Sequence, residues 1–131
     1  MLRLFISYAA KDSQYATRIH NILIRDWTHI VESCFFAPIS LPPGSRWENS
    51  ILEEIRGANV LLVLWSEHSK CAYGQIVEVG AAWALEKKVL VLLLDYDSKL
   101  LPFILRDAQA IEWGSFNEGF QRFIFLFDNR T

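Results

Sequence analysis

Cysteine is scarce in this chain of 131 residues, which carries only Cys34 and Cys71. The two form no Cys-x-x-Cys pair and have no histidines at metal-ligand spacing, so neither a zinc site nor a redox motif is predicted. Two unpaired thiols are typical of a protein in a reducing compartment, and we therefore expect a cytoplasmic location. The N-terminus, in which Met1-Leu-Arg leads straight into a short apolar run, lacks the pattern of a signal peptide.

Long runs of one kind of residue are also missing. The 13 basic and 15 acidic residues are scattered and give a formal net charge of −2, so no direct nucleic-acid partner is expected. No apolar run approaches the roughly 20 residues that span a bilayer, so no membrane partner is expected either. Hydrophobic residues make up 52% of the chain, which is enough to bury a core, and its length suits one domain over residues 1–131.

Several catalytic and nucleotide-binding motifs are absent. The chain has no Gly-x-x-x-x-Gly-Lys-Ser/Thr loop, no Gly-x-Gly-x-x-Gly after a strand and no Gly-x-Ser-x-Gly elbow. A receiver domain would need clustered acids at the end of its first strand, whereas this strand ends Ser7-Tyr-Ala-Ala10. These absences argue against a P-loop, a Rossmann cofactor site and a serine hydrolase, and we expect no resident cofactor and no metal.

What the chain does have is a regular alternation of strand and helix patterns. The predicted strands are Leu2–Tyr8, Ile30–Ala37, Val60–Trp65, Val89–Leu94 and Ala110–Glu112. The predicted helices are one capped by Asp12 or Ser13, then Trp47–Arg56, Ala72–Glu86, Leu101–Arg106 and one carrying Phe116 to Phe127. Strands that are apolar throughout are typical of parallel sheets covered on both faces. The pattern predicts an α/β, flavodoxin-like sheet in the order 2-1-3-4-5 with helices on both faces.

The phenylalanine-rich end of the chain allows two interpretations. A helix that packs its phenylalanines on the sheet explains the pattern. A domain excised from a longer multidomain protein explains it as well, with Phe125 meeting a neighbouring module.

Ligands of such folds bind beyond the carboxyl ends of the strands, where the strand order reverses between strands one and three. The loops Tyr8–Asp12 and Ser66–Tyr73 meet at that point, and Glu78 lies in the first turns of the helix that follows. Residues three and four positions away share its helix face and are small; they are Gly74, Ala81 and Ala82. We therefore expect neighbours too small to bury this carboxylate and room for a ligand beside it. The alternative is an exposed helix glutamate.

Four segments, in order, resemble the conserved boxes of TIR (Toll/interleukin-1 receptor) domains. They are Phe5-Ile-Ser-Tyr-Ala-Ala-Lys-Asp12, Pro43-Gly-Ser-Arg-Trp47, Ser66-Glu-His-Ser69 and Glu78-Val-Gly-Ala-Ala-Trp83. The second resembles the end of the BB loop, and the last is similar to bacterial TIR domains in particular. One departure is that many TIR domains carry Trp-Cys four and three residues before the glutamate, where this chain has Gly74 and Gln75.

The resemblance implies two different roles. Some TIR domains are adaptors that assemble through the BB loop. Others, including many bacterial ones, cleave the nicotinamide–ribose bond of NAD+, giving nicotinamide plus ADP-ribose or a cyclic ADP-ribose isomer used in antiphage defence. We expect the NAD+-cleaving (NADase) type, with a non-catalytic TIR–TIR adaptor as the alternative. The last third of the third helix also resembles nucleoside deoxyribosyltransferases, which use a glutamate nucleophile in a related fold, and these are a further alternative.

The resemblance assigns catalysis to Glu78 and suggests which residues contact NAD+ as the substrate. The candidate binding residues are Ser7, Tyr8, Ala9, Arg46, Trp47, Ser66, Ser69 and Tyr73. Some have structural alternatives, since Trp47 suits the core, Arg46 suits a solvated loop, and the two later serines suit helix capping. Trp83 lies five positions past Glu78 and is expected in the core. The BB-loop region Leu41–Trp47 is the expected surface for self-association, and a fused or separate sensor domain is a further expected partner.

Breaking a nicotinamide–ribose bond builds positive charge on the ribose, and a nearby ionised carboxylate stabilises it. Nicotinamide leaves as a neutral molecule, so one glutamate suffices and no general acid is required. The helix N-terminus should favour the ionised form of Glu78, while desolvation by a bound substrate should disfavour it. The sequence does not decide between these two effects.

Overall fold

The computed structural model describes residues 1–36, 47–95, 97 and 100–128, with only the backbone given for 47–49 and 128. The strands are β1 Leu2–Ser7, β2 Val31–Phe36, β3 Val60–Trp65, β4 Lys88–Leu93 and β5 Gln109–Glu112. The helices are α1 Ser13–Asp26, α2 Trp47–Gly57, α3 Tyr73–Ala84 and α4 Phe116–Asp128. The predicted site residue Arg46, the Trp47 side chain and the predicted association segment before Trp47 lie outside the described residues.

The five strands form one parallel sheet in the order β2-β1-β3-β4-β5, which confirms the predicted topology. In its register Ser7 of β1 lies opposite Val63 of β3, and Trp65 lies opposite Leu93 of β4. The carboxyl ends of β1 and β3 are therefore adjacent, and the segments that leave them start from neighbouring points. This adjacency positions the candidate site.

The core has two layers, one on each face of the sheet, because successive side chains of a strand point to opposite faces. On one face Leu62 and Leu64 of β3 pack in a cluster with residues of α1 and α4. On the other face Leu61 and Val63 pack in a cluster with residues of α2 and α3. Strands sandwiched in this way must be apolar on both sides, which explains the continuous hydrophobic pattern of β3.

The phenylalanine-rich helix α4 packs on the sheet, as the first of the two interpretations predicts. Phe116, Phe120 and Phe123 are buried in the core. Gly119 allows a close approach, because a Cβ atom there would lie only 2.4 Å from Cγ2 of Ile111 in β5. Phe125 is exposed on the outer side of the helix, and its contact with a neighbouring module stays a prediction.

Three sequence-based expectations about the elements are wrong. The predicted helix Leu101–Arg106 is only a 3-10 turn over Phe103–Leu105. Helix α3 ends at Ala84 rather than Glu86, because Glu86 adopts a left-handed backbone with φ of 56° and Lys87 N–H turns back to the Ala82 carbonyl.

The third wrong expectation concerns Trp83, which is 62% exposed rather than in the core. The buried residues of α3 are Gln75, Glu78, Val79 and Ala82, and position 83 falls past the edge of that face.

Candidate active site

Glu78 lies on the buried face of α3, over the adjacent carboxyl ends of β1 and β3. Its side chain is 6% exposed, so the alternative of an exposed helix glutamate is excluded. The expectation that its small neighbours leave the carboxylate unburied is also wrong. The helix neighbours alone do not determine its surroundings, because the end of β1 reaches the carboxylate.

The contact from β1 is a hydrogen bond from Ser7. This serine is fully buried at the last position of the strand, and its Oγ donates to Oε1 of Glu78 over 2.7 Å. Hydrogen bonds to a charged acceptor are stronger than neutral ones, so this contact favours the ionised carboxylate. The structure thus brings together two of the residues that the sequence assigned to the site.

Burial nevertheless dominates the electrostatics of Glu78. Desolvation raises the pKa of its carboxyl from the ordinary 4.5 to about 7, and the Ser7 hydrogen bond only partly opposes this rise. Desolvation by the protein itself therefore outweighs the Ser7 hydrogen bond, while the competition between the helix N-terminus and desolvation by a substrate stays a prediction. Because the pKa lies near neutrality, both protonation states of Glu78 are populated under physiological conditions.

Tyr8 follows Ser7 and is electrostatically linked to Glu78. Its ring is half-buried, with its centroid 6.2 Å from that of Phe36. Burial raises the pKa of the phenol, and the Glu78 charge raises it further. The Tyr8 phenol therefore lies within range of the Glu78 charge, at the same edge of the sheet.

Gln75 belongs to the same arrangement and was not among the predicted site residues. It is 2% exposed, one helix turn before Glu78 on the same face. Its Nε2 donates to the backbone carbonyls of Leu64, over 2.7 Å, and of Ser7, over 3.2 Å. The sequence carried a signal, because Gln75 stands where many TIR domains have cysteine, but its partners are backbone atoms of distant segments that no spacing rule reveals.

A second polar network joins the loops after β1 and β3. Ser66 Oγ donates to Oδ2 of the buried Asp12 over 2.5 Å and accepts the His68 N–H. Ser69 Oγ accepts the Ser66 N–H, which completes a capping box on the 3-10 turn Glu67–Cys71. The capping alternative for Ser66 and Ser69 is therefore observed, while their contact with a ligand stays a prediction.

Asp12 occupies the N-cap position of α1, as predicted, but not with a capping side chain. Its side chain makes no cap hydrogen bond to that helix, because the carboxylate accepts the Ser66 hydroxyl instead.

The other predicted binding residues lie around this edge in different environments. Ala9 is buried, and its carbonyl accepts the Asp12 N–H over 2.8 Å within a turn. Tyr73 is 83% exposed at the start of α3, where its ring faces solvent. Both stay predicted ligand contacts.

Within the described ranges, no group of His, Cys, Asp or Glu is placed to hold a metal ion. No helix in the described part of the chain is long and apolar enough to cross a membrane.

The sequence matches the TIR-domain family over residues 4–124, which is most of its length. This chain belongs to the TIR-domain family. No protein of curated function matches its sequence.

Solved structures confirm the TIR fold. The domain is similar to the TIR domain of the Toll-related receptor TRR-2 from Hydra magnipapillata, at 18% identity and a TM-score of 0.66 over the whole of both chains. It is also similar to the CMP N-glycosidase BcmB from Clostridium botulinum, at 17% identity and a TM-score of 0.63 over 94% of this chain and 98% of that one. At such low identity the likeness establishes the fold alone.

Proposed function

We propose that this TIR domain cleaves the N-glycosidic bond between nicotinamide and ribose in NAD+. The products are nicotinamide and either ADP-ribose or a cyclic ADP-ribose isomer, and the activity serves bacterial antiphage defence in the cytoplasm. The observation that carries the proposal is Glu78, a carboxylate buried at the carboxyl edge of the sheet and held by the Ser7 hydroxyl. An adaptor that only associates with other TIR domains has no need to keep an acid in that position.

The reaction needs a negative charge beside the ribose. As the C1′–N bond lengthens, its electron pair moves to the pyridinium nitrogen, and positive charge builds on C1′ and the ring oxygen. Ionised Glu78 stabilises that charge from its buried position, where electrostatic interactions are stronger than in bulk water. Nicotinamide departs neutral, without taking a proton. Attack on C1′ by water, which then loses a proton, gives ADP-ribose, whereas attack by a nitrogen of the substrate's own adenine gives a cyclic isomer.

The pKa of Glu78 gives this mechanism a pH signature. Only the ionised carboxylate stabilises the developing charge, and its pKa is about 7. We therefore expect kcat/KM to rise about tenfold per pH unit below 7 and to level off above about pH 8. A profile that is flat between pH 5 and 9 would contradict the assignment of Glu78.

A second candidate function is hydrolysis or base exchange of a nucleotide or nucleoside such as CMP, as in an N-glycosidase or a deoxyribosyltransferase-like enzyme. The raised pKa of Glu78 favours it, because with a pKa of about 7 the protonated carboxyl is available near neutral pH. A neutral pyrimidine leaves more readily when it is protonated, so a protonated glutamate would be useful there. The similarity to a CMP N-glycosidase structure points to the same class of bond. This candidate predicts a rate that falls as the pH rises above 7.

The deciding experiment follows the release of nicotinamide from NAD+ by chromatography, at high protein concentration with a crowding agent. CMP is incubated in parallel, and cytosine release is followed. Glu78→Gln is the test variant. Glu118→Gln, which changes an exposed carboxylate of α4, is the matched control.

Nicotinamide release by the native chain and by Glu118→Gln, but not by Glu78→Gln, supports the NADase. The second product peak then distinguishes hydrolysis from cyclisation. Cytosine release without nicotinamide release favours the second candidate. If neither substrate is consumed at any protein concentration, the adaptor function replaces both.

We further propose that assembly through Leu41–Trp47 completes the site, with a sensor domain as the activating partner. Binding that favours an assembled state makes activity depend on concentration. The specific activity of the domain should therefore increase with protein concentration. A specific activity that is constant over a hundredfold range of concentration would count against assembly.

A further inference from the structure

We propose that Gln75 is a positioning residue for Glu78: its carboxamide fixes the carboxyl end of β1 and thereby holds the Ser7 hydroxyl on the glutamate. The importance of this arrangement for catalysis rests on the proposed function. The positioning itself is measurable without any substrate.

The geometry forms a continuous chain of contacts from α3 to β1 and back to α3. Gln75 Nε2 donates to the Ser7 carbonyl over 3.2 Å, and Ser7 Oγ donates to Glu78 Oε1 over 2.7 Å. The same Nε2 donates to the Leu64 carbonyl of β3 over 2.7 Å. One side chain of α3 thus joins the ends of the two strands between which the sheet order reverses, one helix turn from the glutamate.

Packing alone does not account for a glutamine at this position. A buried amide is costly unless its polar atoms are hydrogen-bonded, and Oε1 of Gln75 is buried without a partner among the described residues. A methionine or leucine of similar volume would fill the space without that penalty. The two donated hydrogen bonds are therefore the feature that distinguishes glutamine here, and both fix strand ends at the site.

Loss of these bonds should be detected at Glu78. Without Gln75 the Ser7 backbone is less constrained, so its hydroxyl spends less time on the carboxylate. Since that hydroxyl favours the ionised form, the pKa of Glu78 should rise.

The other ionisable groups near the site are engaged elsewhere or retained in the test. Tyr8, at the end of β1, is coupled to Glu78 and stays in every variant. Asp12 accepts the Ser66 hydroxyl. On α2, which packs against α3, Arg56 pairs with Glu53, and Lys87 Nζ donates to the Arg56 carbonyl, which places this pair at the opposite edge of the sheet from Glu78.

The experiment measures the pKa of Glu78 by NMR, from the carboxyl carbon of labelled glutamate, in the native chain and in Gln75→Met. We expect a rise of roughly half to one unit in the variant. The matched control is Val79→Ala, a buried apolar change one residue past Glu78 on the same helix. It should lower the unfolding midpoint and leave the pKa of Glu78 unchanged. An unchanged pKa in Gln75→Met would overturn the proposal.

A double-mutant cycle with Ser7→Ala tests whether Gln75 acts through Ser7. In the Ser7→Ala background, Gln75→Met should produce no further rise in the pKa of Glu78. A rise of the same size with and without Ser7 would show that Gln75 does not act by this route.

If Gln75→Met does not fold, the native chain still provides a test. The side-chain amide resonances of Gln75 should titrate with the pKa of Glu78 and cease to do so in Glu78→Gln. Amide resonances that do not respond between pH 5 and 9 would overturn the proposal. None of these measurements uses NAD+, so they can fail while nicotinamide release succeeds, or succeed while it fails.

Discussion

Two buried carboxylates, Asp12 and Glu78, lie at the same edge of the sheet, and each accepts a hydrogen bond from one serine. Asp12 belongs to a network that also caps a turn, because its partner Ser66 accepts the His68 N–H as well. Glu78 projects from the middle of a helix, receives the Ser7 hydroxyl and has a pKa raised to about 7.

The comparison shows that two buried acids with the same kind of serine partner are held in different ways. The Asp12 network connects two loops and satisfies backbone donors, so it stabilises the edge of the sheet. The Glu78 arrangement keeps an acid in a state that burial disfavours at neutral pH. An acid that is retained although it lowers the stability of the fold at neutral pH is a candidate for function.

The largest effect is expected for Glu78→Gln. The raised pKa means that the folded chain keeps a proton that the unfolded chain loses above pH 4.5, so stability falls as the pH rises from 4.5 to 7. The difference of about 2.5 units corresponds to roughly 3 kcal/mol, which a neutral glutamine would not lose. Denaturant unfolding at pH 8 should show a variant up to about 3 kcal/mol more stable than the native chain, with little difference at pH 4.5. The same variant should lose NAD+ cleavage by about a hundredfold to a thousandfold.

Ser66→Ala should lower the stability of the fold without affecting Glu78. It leaves the buried Asp12 carboxylate without its hydroxyl donor and the His68 N–H without an acceptor. We expect a loss of about 1–3 kcal/mol in denaturant unfolding. The pKa of Glu78 should stay near 7, and a shift in that pKa would show that the two networks are not separate.

Ser7→Ala makes the corresponding change at Glu78, because Ser7 is the serine that donates to that carboxylate. Removing the hydroxyl takes away the contact that favours ionised Glu78, so the pKa should rise by roughly one unit. The pH profile of nicotinamide release should shift upward by the same amount, with a similar rate at its plateau. Ser7→Thr, which keeps a hydroxyl, is the control. If Ser7→Ala shifts neither the NMR titration nor the profile, the contact has no influence on Glu78.

The smallest effect concerns Tyr8. The Glu78 charge contributes to the raised pKa of the phenol but is not its main cause, which is burial. In Glu78→Gln the pKa of Tyr8 should therefore decrease slightly and stay above its ordinary value. The ring-carbon resonance of Tyr8 reports this titration. An unchanged value would show that the Glu78 charge does not act on the phenol.

Much of the fold could be predicted because it depends on periodicity. The apolar strands required a sheet covered on both faces, and the alternation with helices gave the order β2-β1-β3-β4-β5. The edge of the sheet at which Glu78 lies followed from that topology. Trp83 was misplaced because an apolar helix with small residues does not reveal where its buried face ends.

The site was only partly predictable, because its contacts join residues far apart in the chain. Ser7 and Glu78 are 71 positions apart, and Gln75 acts on backbone carbonyls rather than on a complementary side chain. Neither the Ser7–Glu78 contact nor the contacts of Gln75 can be predicted from residue types alone. The balance between desolvation and hydrogen bonding at Glu78 likewise depends on three-dimensional burial, and no sequence pattern contains it.

The burial of Glu78 also affects how this position is expected to evolve. A glutamate codon becomes a glutamine codon by one nucleotide change, and here that change is expected to make the fold more stable at neutral pH. In descendants no longer under selection for catalysis, the inactive form with glutamine at this position could therefore accumulate without any loss of stability. The reverse change from glutamine to glutamate would make the fold less stable at neutral pH, so the loss of the acid is not easily reversed. Persistence of Glu78 across a lineage of this domain would therefore record continuous selection for its charge.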